Sequence, residues 1–244
     1  MRRRFFVDSF DLNSATLRGE TAEHLGRVLR AEPGQLYELS DGHRVWIGRI
    51  ESVVLAKRGE SRIDFALVES IAAREPSLAV QLLVSVVKFE RFEWCLEKAT
   101  ELGVTDIIPL AAARSDKLLL RAAGKRRTRW EKIIVESAQQ ARRLRPPTLR
   151  AAMPADEAFA QSSAACKVLL SERRDTMPLR DALPGGRRGA AAALATGPEG
   201  GWTDDEIVAA RAAGFIEASL AQNILRTETA VLASLAILQF VLSE

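Results

Sequence analysis

The chain has 244 residues, 47% hydrophobic and 27% charged, with a net charge of +3. It is long enough to bury a proper core as one large domain or two smaller ones, and its composition is that of an ordinary soluble globular protein. Cys95 and Cys166 lie far apart in apolar contexts and His24 and His43 have no partner at ligand spacing, so neither a disulfide framework nor a metal site is expected.

The opening "MRRRFFVDSF" has a basic start, but its apolar run stops at Asp8, too short for a signal peptide. No segment is long and apolar enough for a membrane span, so a cytoplasmic protein without a membrane partner is expected. Residues 1–72 read as β-rich. "QLYELSDGHRVWIGRI" is two alternating runs about Asp41-Gly42, the dipeptide favoured in a type I′ hairpin turn. With "IDFALVES" following, this predicts a small barrel or sheet capped by the helical "TAEHLGRVLR". "AAREP" (72–76) marks a boundary, because the residue before a proline is pushed out of helix.

From Ser77 strands and helices alternate, which predicts an α/β layer on a mostly parallel sheet. "LAVQLLVSVV" is a strand, and the helix "ERFEWCLEKATELG" aligns Phe92, Leu96, Ala99 and Gly103 on one face. "VTDIIPLAA" is the next strand. The helix after it buries Trp130, Ile133, Ile134, Ser137, Ala138 and Ala141 at helical spacing and stops at Pro146-Pro147. Its opposite face carries Arg129, Lys132, Glu136, Gln140 and Arg143. Between Arg114 and Arg150 there are twelve Lys or Arg against three acids, which fits a solvated face or a phosphate-bearing partner. "CKVLLSE" is a buried strand ending at Ser171 and Glu172, and the turn-rich "RRDTMPLRDALPGGRRG" leads to the strand "AAALATG". A helix at 204–213 closed by Gly214, the strand "FIEASL" and a last helix from about 228 complete the chain. That last helix is apolar nearly all round, which calls for burial on every side. A C₂ homodimer would supply it, with Leu235, Leu238 and Phe240 as core or subunit contacts.

Two loops carry the chemistry. In "LATGPEGGWTDDEI" a strand hands over to a helix through three glycines, a proline and one carboxylate. The chain has neither a Gly-x-x-x-x-Gly-Lys-Ser/Thr loop nor a Gly-x-Gly-x-x-Gly turn, so a P-loop and a Rossmann dinucleotide site are not supported. Gly197, Gly200 and Gly201 are free to take φ > 0 and expose backbone groups, while Pro198 stiffens the turn. Thr203 and Glu206 have the spacing of a capping box, so the loop backbone is a better ligand surface than the helix end. Glu199 within the loop suits a ligand with hydroxyls or positive charge. The second loop, "SLAQNILRTETA", is again a strand end leading into a helix, with Thr227 or a neighbour as N-cap. With Ser171 and Glu172 at a third strand end, these loops would gather at the carboxyl edge of one parallel sheet.

"GPEGGWTDDEI" followed by "SL…ILRTETA" closely resembles the ribosomal RNA small subunit methyltransferase E family, of the SPOUT class. "KFERFEWCLEKATELGVTDIIPL" and "RWEKIIVESAQQARR" are similar to other signature segments of that family, so the resemblance covers essentially the whole chain. It implies an α/β SPOUT domain over 73–244 with a parallel sheet and trefoil knot, and a small PUA-like β-barrel over 1–72 that binds RNA. It implies a homodimer that methylates N3 of one uridine in 16S ribosomal RNA with S-adenosylmethionine, and no metal. The runner-up is a non-catalytic RNA-binding ribosome assembly factor that needs no cofactor. Carried over by motif, the cofactor residues are Ser171, Glu172, Thr196, Gly197, Pro198, Glu199, Gly200, Gly201, Ser219, Leu220, Ala221, Asn223, Ile224, Leu225 and Arg226. The family usually has Leu-Gly-x-Arg before Ile-Leu-Arg, whereas here Leu220 is followed by Ala221, Gln222 and Asn223. Arg226 is the expected stabiliser of charge on the uracil. Glu199 orients the cofactor, accepts the proton or braces the loop. The expected RNA surface is Arg2, Arg3, Arg4, Arg129, Lys132, Arg142, Arg143 and Arg145, on the assembled small subunit or on free 16S RNA.

Overall fold

The computed structural model describes residues 3–56, 59–173, 175–183, 189 and 191–243. The chain forms two compact units, one of residues 1–75 with 138–146 and one of residues 76–137 with 147–244.

In the first unit the strands are β1 (Arg4–Phe6), β2 (Ser14–Arg18), β3 (Leu36–Ser40), β4 (Val45–Val54) and β5 (Arg62–Ile71). Between β2 and β3 the helix α1 (Gly19–Glu23) continues into a π-helical turn (His24–Val28). The five strands form one sheet in the order β1-β3-β4-β5-β2, parallel at β1–β3 and antiparallel elsewhere. Among the described residues no pairing joins β1 to β2, so the sheet remains open at those edges. Alternating side chains supply its core: Leu17, Leu39, Ile50, Ile63 and Phe65 pack with Phe5, and Ala22 and Leu25 of the helical segment close over them.

The hairpin between β3 and β4 is present, but its turn differs from the expected type I′. Ser40 pairs with Val45, leaving a four-residue loop, and only Gly42 in it has positive φ, at +87°. The Asp41 side chain instead accepts from the backbone N–H groups of His43 and Arg44, at 3.0 and 2.7 Å. Burial works against ionisation of Asp41, but these bonds and the Arg44 side chain outweigh it and hold the carboxyl below its ordinary range.

Residues 138–146 contribute polar links to this unit. The Ser40 hydroxyl donates to the Leu144 carbonyl at 2.6 Å. Arg4 donates to the Arg142 carbonyl at 2.7 Å and pairs with the buried Glu38 at 2.9 Å, which also faces Arg142 at 3.4 Å.

The second unit contains β6 (Val80–Ser85), α2 (Phe89–Glu101), β7 (Asp106–Ala111), α3 (Lys117–Gln140), β8 (Thr148–Leu149), β9 (Met153–Pro154) and α4 (Ala155–Gln161). There follow β10 (Cys166–Leu170), β11 (Met177–Pro178), α5 (Leu179–Ala182), β12 (Ala192–Thr196), α6 (Asp204–Ala212), β13 (Ile216–Ser219) and α7 (Thr227–Leu242). Part of the turn-rich segment 173–189 lies outside the described residues. The sheet runs β11-β13-β10-β12-β6-β7-β8, with β9 also on β7, and every described pairing is parallel.

The near-continuous apolar runs of β6, β10 and β12 follow from helices on both faces. Val80, Leu82, Val84, Val168 and Leu194 pack with Phe92 and Leu96 of α2, Trp130 and Ile134 of α3 and Leu235 and Leu238 of α7. Leu83, Ile108, Leu169, Ala193 and Ala195 face Phe159 of α4 and Ile207 and Ala210 of α6. The unit is thus a three-layer α/β structure. Gly103, at φ +89°, closes α2. Helix α3 starts a full three turns earlier than Trp130 and ends at Gln140, where Arg142 takes a positive φ of 52° ahead of the prolines. No helix among the described residues is long and apolar enough to cross a membrane.

Candidate active site

Because β12 lies between β10 and β6, its carboxyl end opens in the interior of the sheet rather than at an edge. Ser171 and Glu172 follow β10 on one side, and the loop following β13 completes the rim. A cavity of about 380 Å³ lies there, within the range of small-molecule sites. Its lining includes Ser171, Glu172, Thr196, Gly197, Pro198, Glu199, Gly200, Gly201, Leu220, Ala221, Asn223, Ile224, Leu225 and Arg226. Ser219 is the one residue of the expected set outside that lining. Its hydroxyl faces the carbonyls of Thr176 and Met177, at 3.3 and 3.4 Å.

The glycines of the loop have three different causes. A Cβ on Gly197 would meet the Trp202 indole at 3.0 Å, and that indole is fixed by its N–H, which donates to the Leu170 carbonyl at 2.9 Å. At Gly200 a Cβ would meet Arg114 at 3.2 Å. Only Gly201 needs left-handed backbone, at φ +69°, where its N–H closes a turn onto the Pro198 carbonyl. Close approach therefore accounts for two of the three glycines for which freedom of φ was the expectation.

The capping box forms as the spacing predicts, and it does more than cap. The Thr203 side chain accepts from the Glu206 N–H, and the buried Glu206 carboxylate accepts from the Thr203 N–H at 2.9 Å. The other Glu206 oxygen accepts from the Ala113 N–H at 2.8 Å, which ties the loop after β7 to the start of α6. Next along that loop Arg114 donates to the Gly200 carbonyl at 2.9 Å and lines the cavity. Arg173 pairs with Asp204 at the same rim, and that bond holds the Asp204 carboxyl below its ordinary range.

The N-cap of α7 is Arg226 rather than Thr227, and no side chain caps it. Thr227 turns back instead, donating its hydroxyl to the Gly197 carbonyl at 3.4 Å and so joining the two loops. The first N–H groups of α7 thus begin at the cavity without a capping side chain. Arg91, from α2, also spans the two loops, 3.4 Å from Glu199 and 3.8 Å from Glu228. The Arg226 side chain is exposed and has no partner among the described residues.

Arg91, Arg114, Trp202 and Thr227 are absent from the expected site. Arg114 had a signal, since "AAARSD" follows a strand directly and the strand-end rule that found the other loops applies to it equally. Arg91 had none, because nothing in one sequence says where α2 points. Among the described residues no cluster of His, Cys, Asp or Glu could hold a metal ion.

Seven of the eight expected RNA contacts lie among the described residues, and each is engaged with protein groups. Arg4 and Arg142 face Glu38, while Arg145 pairs with Glu75 at 2.7 Å and donates to the Gly42 carbonyl. Arg143 is half-buried, and desolvation followed by the nearby Arg145 charge holds its guanidinium down to about 10. Arg3 lies over the Phe5 ring, Arg129 pairs with Glu93, Lys132 is also engaged, and Arg2 lies outside the described residues.

The RNA methyltransferase domain family matches residues 74–239. A ribosomal RNA small subunit methyltransferase E from Synechocystis is 33% identical over 97% of this chain and 77% of its own. The chain belongs to the ribosomal RNA small subunit methyltransferase E family. Two solved structures match this chain over nearly its whole length. The methyltransferase E of Neisseria gonorrhoeae, bound to S-adenosyl methionine, has 31% identity and a TM-score of 0.85, covering 99% of this chain and 98% of that one. A protein from Legionella pneumophila solved with SAM bound has 28% identity and a TM-score of 0.87, covering 100% and 99%. As a family member, this chain is an RNA methyltransferase.

The cavity suits S-adenosylmethionine on its own chemistry. Leu170, Trp202, Ile207, Leu225 and Ala230 offer an apolar wall for a base, and Glu172 and Glu199 offer carboxylates for hydroxyl or ammonium groups. The Thr196 hydroxyl is buried at the cavity without a partner among the described residues, which a polar ligand atom would remedy.

Proposed function

We propose that the protein methylates N3 of one specific uridine in 16S ribosomal RNA, using S-adenosylmethionine held by the loops after β10, β12 and β13. It acts in the cytoplasm as a homodimer. Its first unit serves as a PUA-like RNA-binding domain and its second as a SPOUT domain with a trefoil knot. The observation that carries this reading is the cavity itself: two loops from separate strand ends, pinned together by Thr227 and Arg91, enclose a site that RNA binding alone would not require.

The residues proposed to hold the cofactor are Ser171, Glu172, Thr196 to Gly201, Ser219 to Ala221 and Asn223 to Arg226. The bound cofactor supplies an electrophilic methyl group on sulfonium. N3 lies on the Watson–Crick edge of uracil, so the target base must be unpaired or flipped out to reach the cavity. Its N3–H is weakly acidic, and loss of the proton spreads negative charge onto O2 and O4. Arg226, exposed and unpaired at the cavity, stabilises that charge. Glu199, held toward Arg91, orients hydroxyl or ammonium groups of the ligand. Holding the reacting atoms in line supplies much of the rate.

Titration calorimetry with S-adenosylmethionine, followed by primer extension on 16S RNA treated with enzyme and cofactor, tests the assignment. The expected result is saturable cofactor binding and a cofactor-dependent stop at one uridine, since a methyl on N3 blocks pairing. A well-folded protein that binds no cofactor, with or without RNA, would instead be a non-catalytic assembly factor.

A further inference from the structure

The basic run between Arg114 and Arg150 has twelve Lys or Arg residues, and the structure engages most of them with protein groups. Arg126 and Arg129 share the Glu93 carboxylate at 3.5 and 2.8 Å. Arg127 pairs with Glu131 at 2.8 Å and Arg150 with Asp106 at 3.2 Å. Lys132, Arg142, Arg143 and Arg145 are engaged as described above, and Arg114 rests on the Gly200 carbonyl. Lys117, Arg121 and Lys125 remain. All three are exposed, and none has an ion pair or hydrogen bond among the described residues.

They occupy positions i, i+4 and i+8 of α3, so they form one stripe that rises about 6 Å per step. The residues flanking them on that face, Leu118, Ala122, Gly124 and Thr128, carry no charge. Like charges at this spacing weaken a helix. Lys117 and Arg121 also stand near its N-terminal end, where the helix dipole disfavours cations. The Asp116 carboxylate caps that end by accepting from the Leu118 N–H at 2.7 Å, so the like-charge spacing is the part left unrelieved. The stripe thus opposes the stability of the element that carries it, a conflict that a polyanion would relieve.

Its position connects it to the site. Lys117 is three residues beyond Arg114, which lines the cavity, so the stripe begins within about 11 Å of chain from the rim.

We infer that Lys117, Arg121 and Lys125 form a phosphate track for the RNA strand that flanks the target uridine. The inference rests on the methyltransferase reading above. It assigns the track to the first half of α3, ahead of the paired arginines that the sequence alone singles out. Phosphate contacts position a strand without reading its sequence, so the track sets affinity and register while the cavity chooses the base.

The test is the triple variant Lys117→Ala, Arg121→Ala, Lys125→Ala, assayed with a 16S RNA transcript across a salt series. Each lost phosphate contact should lower the log–log salt slope by about 0.7, so the triple variant should lose roughly 2. KM for RNA should rise about tenfold at moderate salt, by the same electrostatic argument. Cofactor affinity, the methylated position and kcat at saturating RNA should stay at the wild-type values. An unchanged slope and KM in the folded variant would overturn the track and leave a solvated face. If the triple variant does not fold, the three single variants give the same reading, about 0.7 each in slope. Failure of the wild-type protein to methylate the transcript, or assembled subunits supplied in its place, would count against the enzyme reading instead.

Discussion

Arg226 differs from the other arginines at the cavity in what holds it. Arg114 rests on a carbonyl, Arg173 is paired with Asp204, and Arg91 is shared between Glu199 and Glu228. The Arg226 guanidinium is exposed and without a partner among the described residues, on a backbone fixed as the N-cap of α7. A cation positioned in this way loses no protein contact when it turns to a developing oxyanion. Arg226→Ala leaves the loop backbone that would hold the cofactor in place, so it should bind S-adenosylmethionine nearly normally and lose about 10²–10³ in single-turnover rate, the usual cost of one such donor. Near wild-type turnover would end its catalytic role. Glu199 stands on the opposite side of that argument, since its carboxylate already faces a cation. Glu199→Gln should weaken cofactor binding before it slows the chemical step, and calorimetry beside single-turnover assays separates the two.

The elements around the site are joined by bonds that cross from one strand end to the next, and the glycine loop depends on them. Glu206 receives three donors, two from Thr203 and one from the Ala113 N–H. Glu206→Ala removes the reciprocal half of the capping box and leaves the Ala113 N–H without its carboxylate acceptor, for a loss of about 2–4 kcal/mol. Thermal unfolding should then fall by roughly 4–16 °C for a chain of this size. Gly197→Ala drives a methyl group into the Trp202 ring, which its bond to Leu170 holds in place. It should cost about 1–3 kcal/mol and shift the tryptophan emission, with cofactor affinity falling in step. Unchanged stability and emission would mean that the ring yields freely. The capping box was legible because both partners lie within one turn, and the strands because apolar runs and punctuation are local. The Trp202 packing, the Ala113–Glu206 bond and the Arg91 bridge join residues 32 to 108 positions from their partners or further, and such pairings leave no mark in a single sequence. The hairpin turn differs for a local reason: Asp41 uses its side chain to bind the two backbone N–H groups that follow Gly42, which places it before the turn rather than at its centre.

At the scale of the whole molecule, α7 carries more apolar surface than its own unit covers. Val231, Leu235, Leu238 and Leu242 are fully buried, so two of the three residues expected as core or subunit contacts, Leu235 and Leu238, are core residues. Phe240 is 90% exposed, with Val241 beside it 37% exposed. A phenylalanine left almost wholly in water near the end of a helix whose other face is buried fits a surface that a second copy of the chain completes. In a C₂ dimer each such residue acts twice, once from each subunit. Burying one phenylalanine side chain is worth about 1.5–3 kcal/mol, so Phe240→Glu should weaken association by about 3–6 kcal/mol through the two copies alone. That corresponds to roughly 10²–10⁴ in Kd. Sedimentation at micromolar concentration should show the wild-type protein as a dimer and the variant as a folded monomer, with the far-ultraviolet circular dichroism unchanged. The exposed position makes the result easy to interpret, because replacing Phe240 removes nothing from the core of the unit. A wild-type monomer at that concentration, or a variant as dimeric as the parent, would show that α7 keeps Phe240 in solvent for a reason other than self-association.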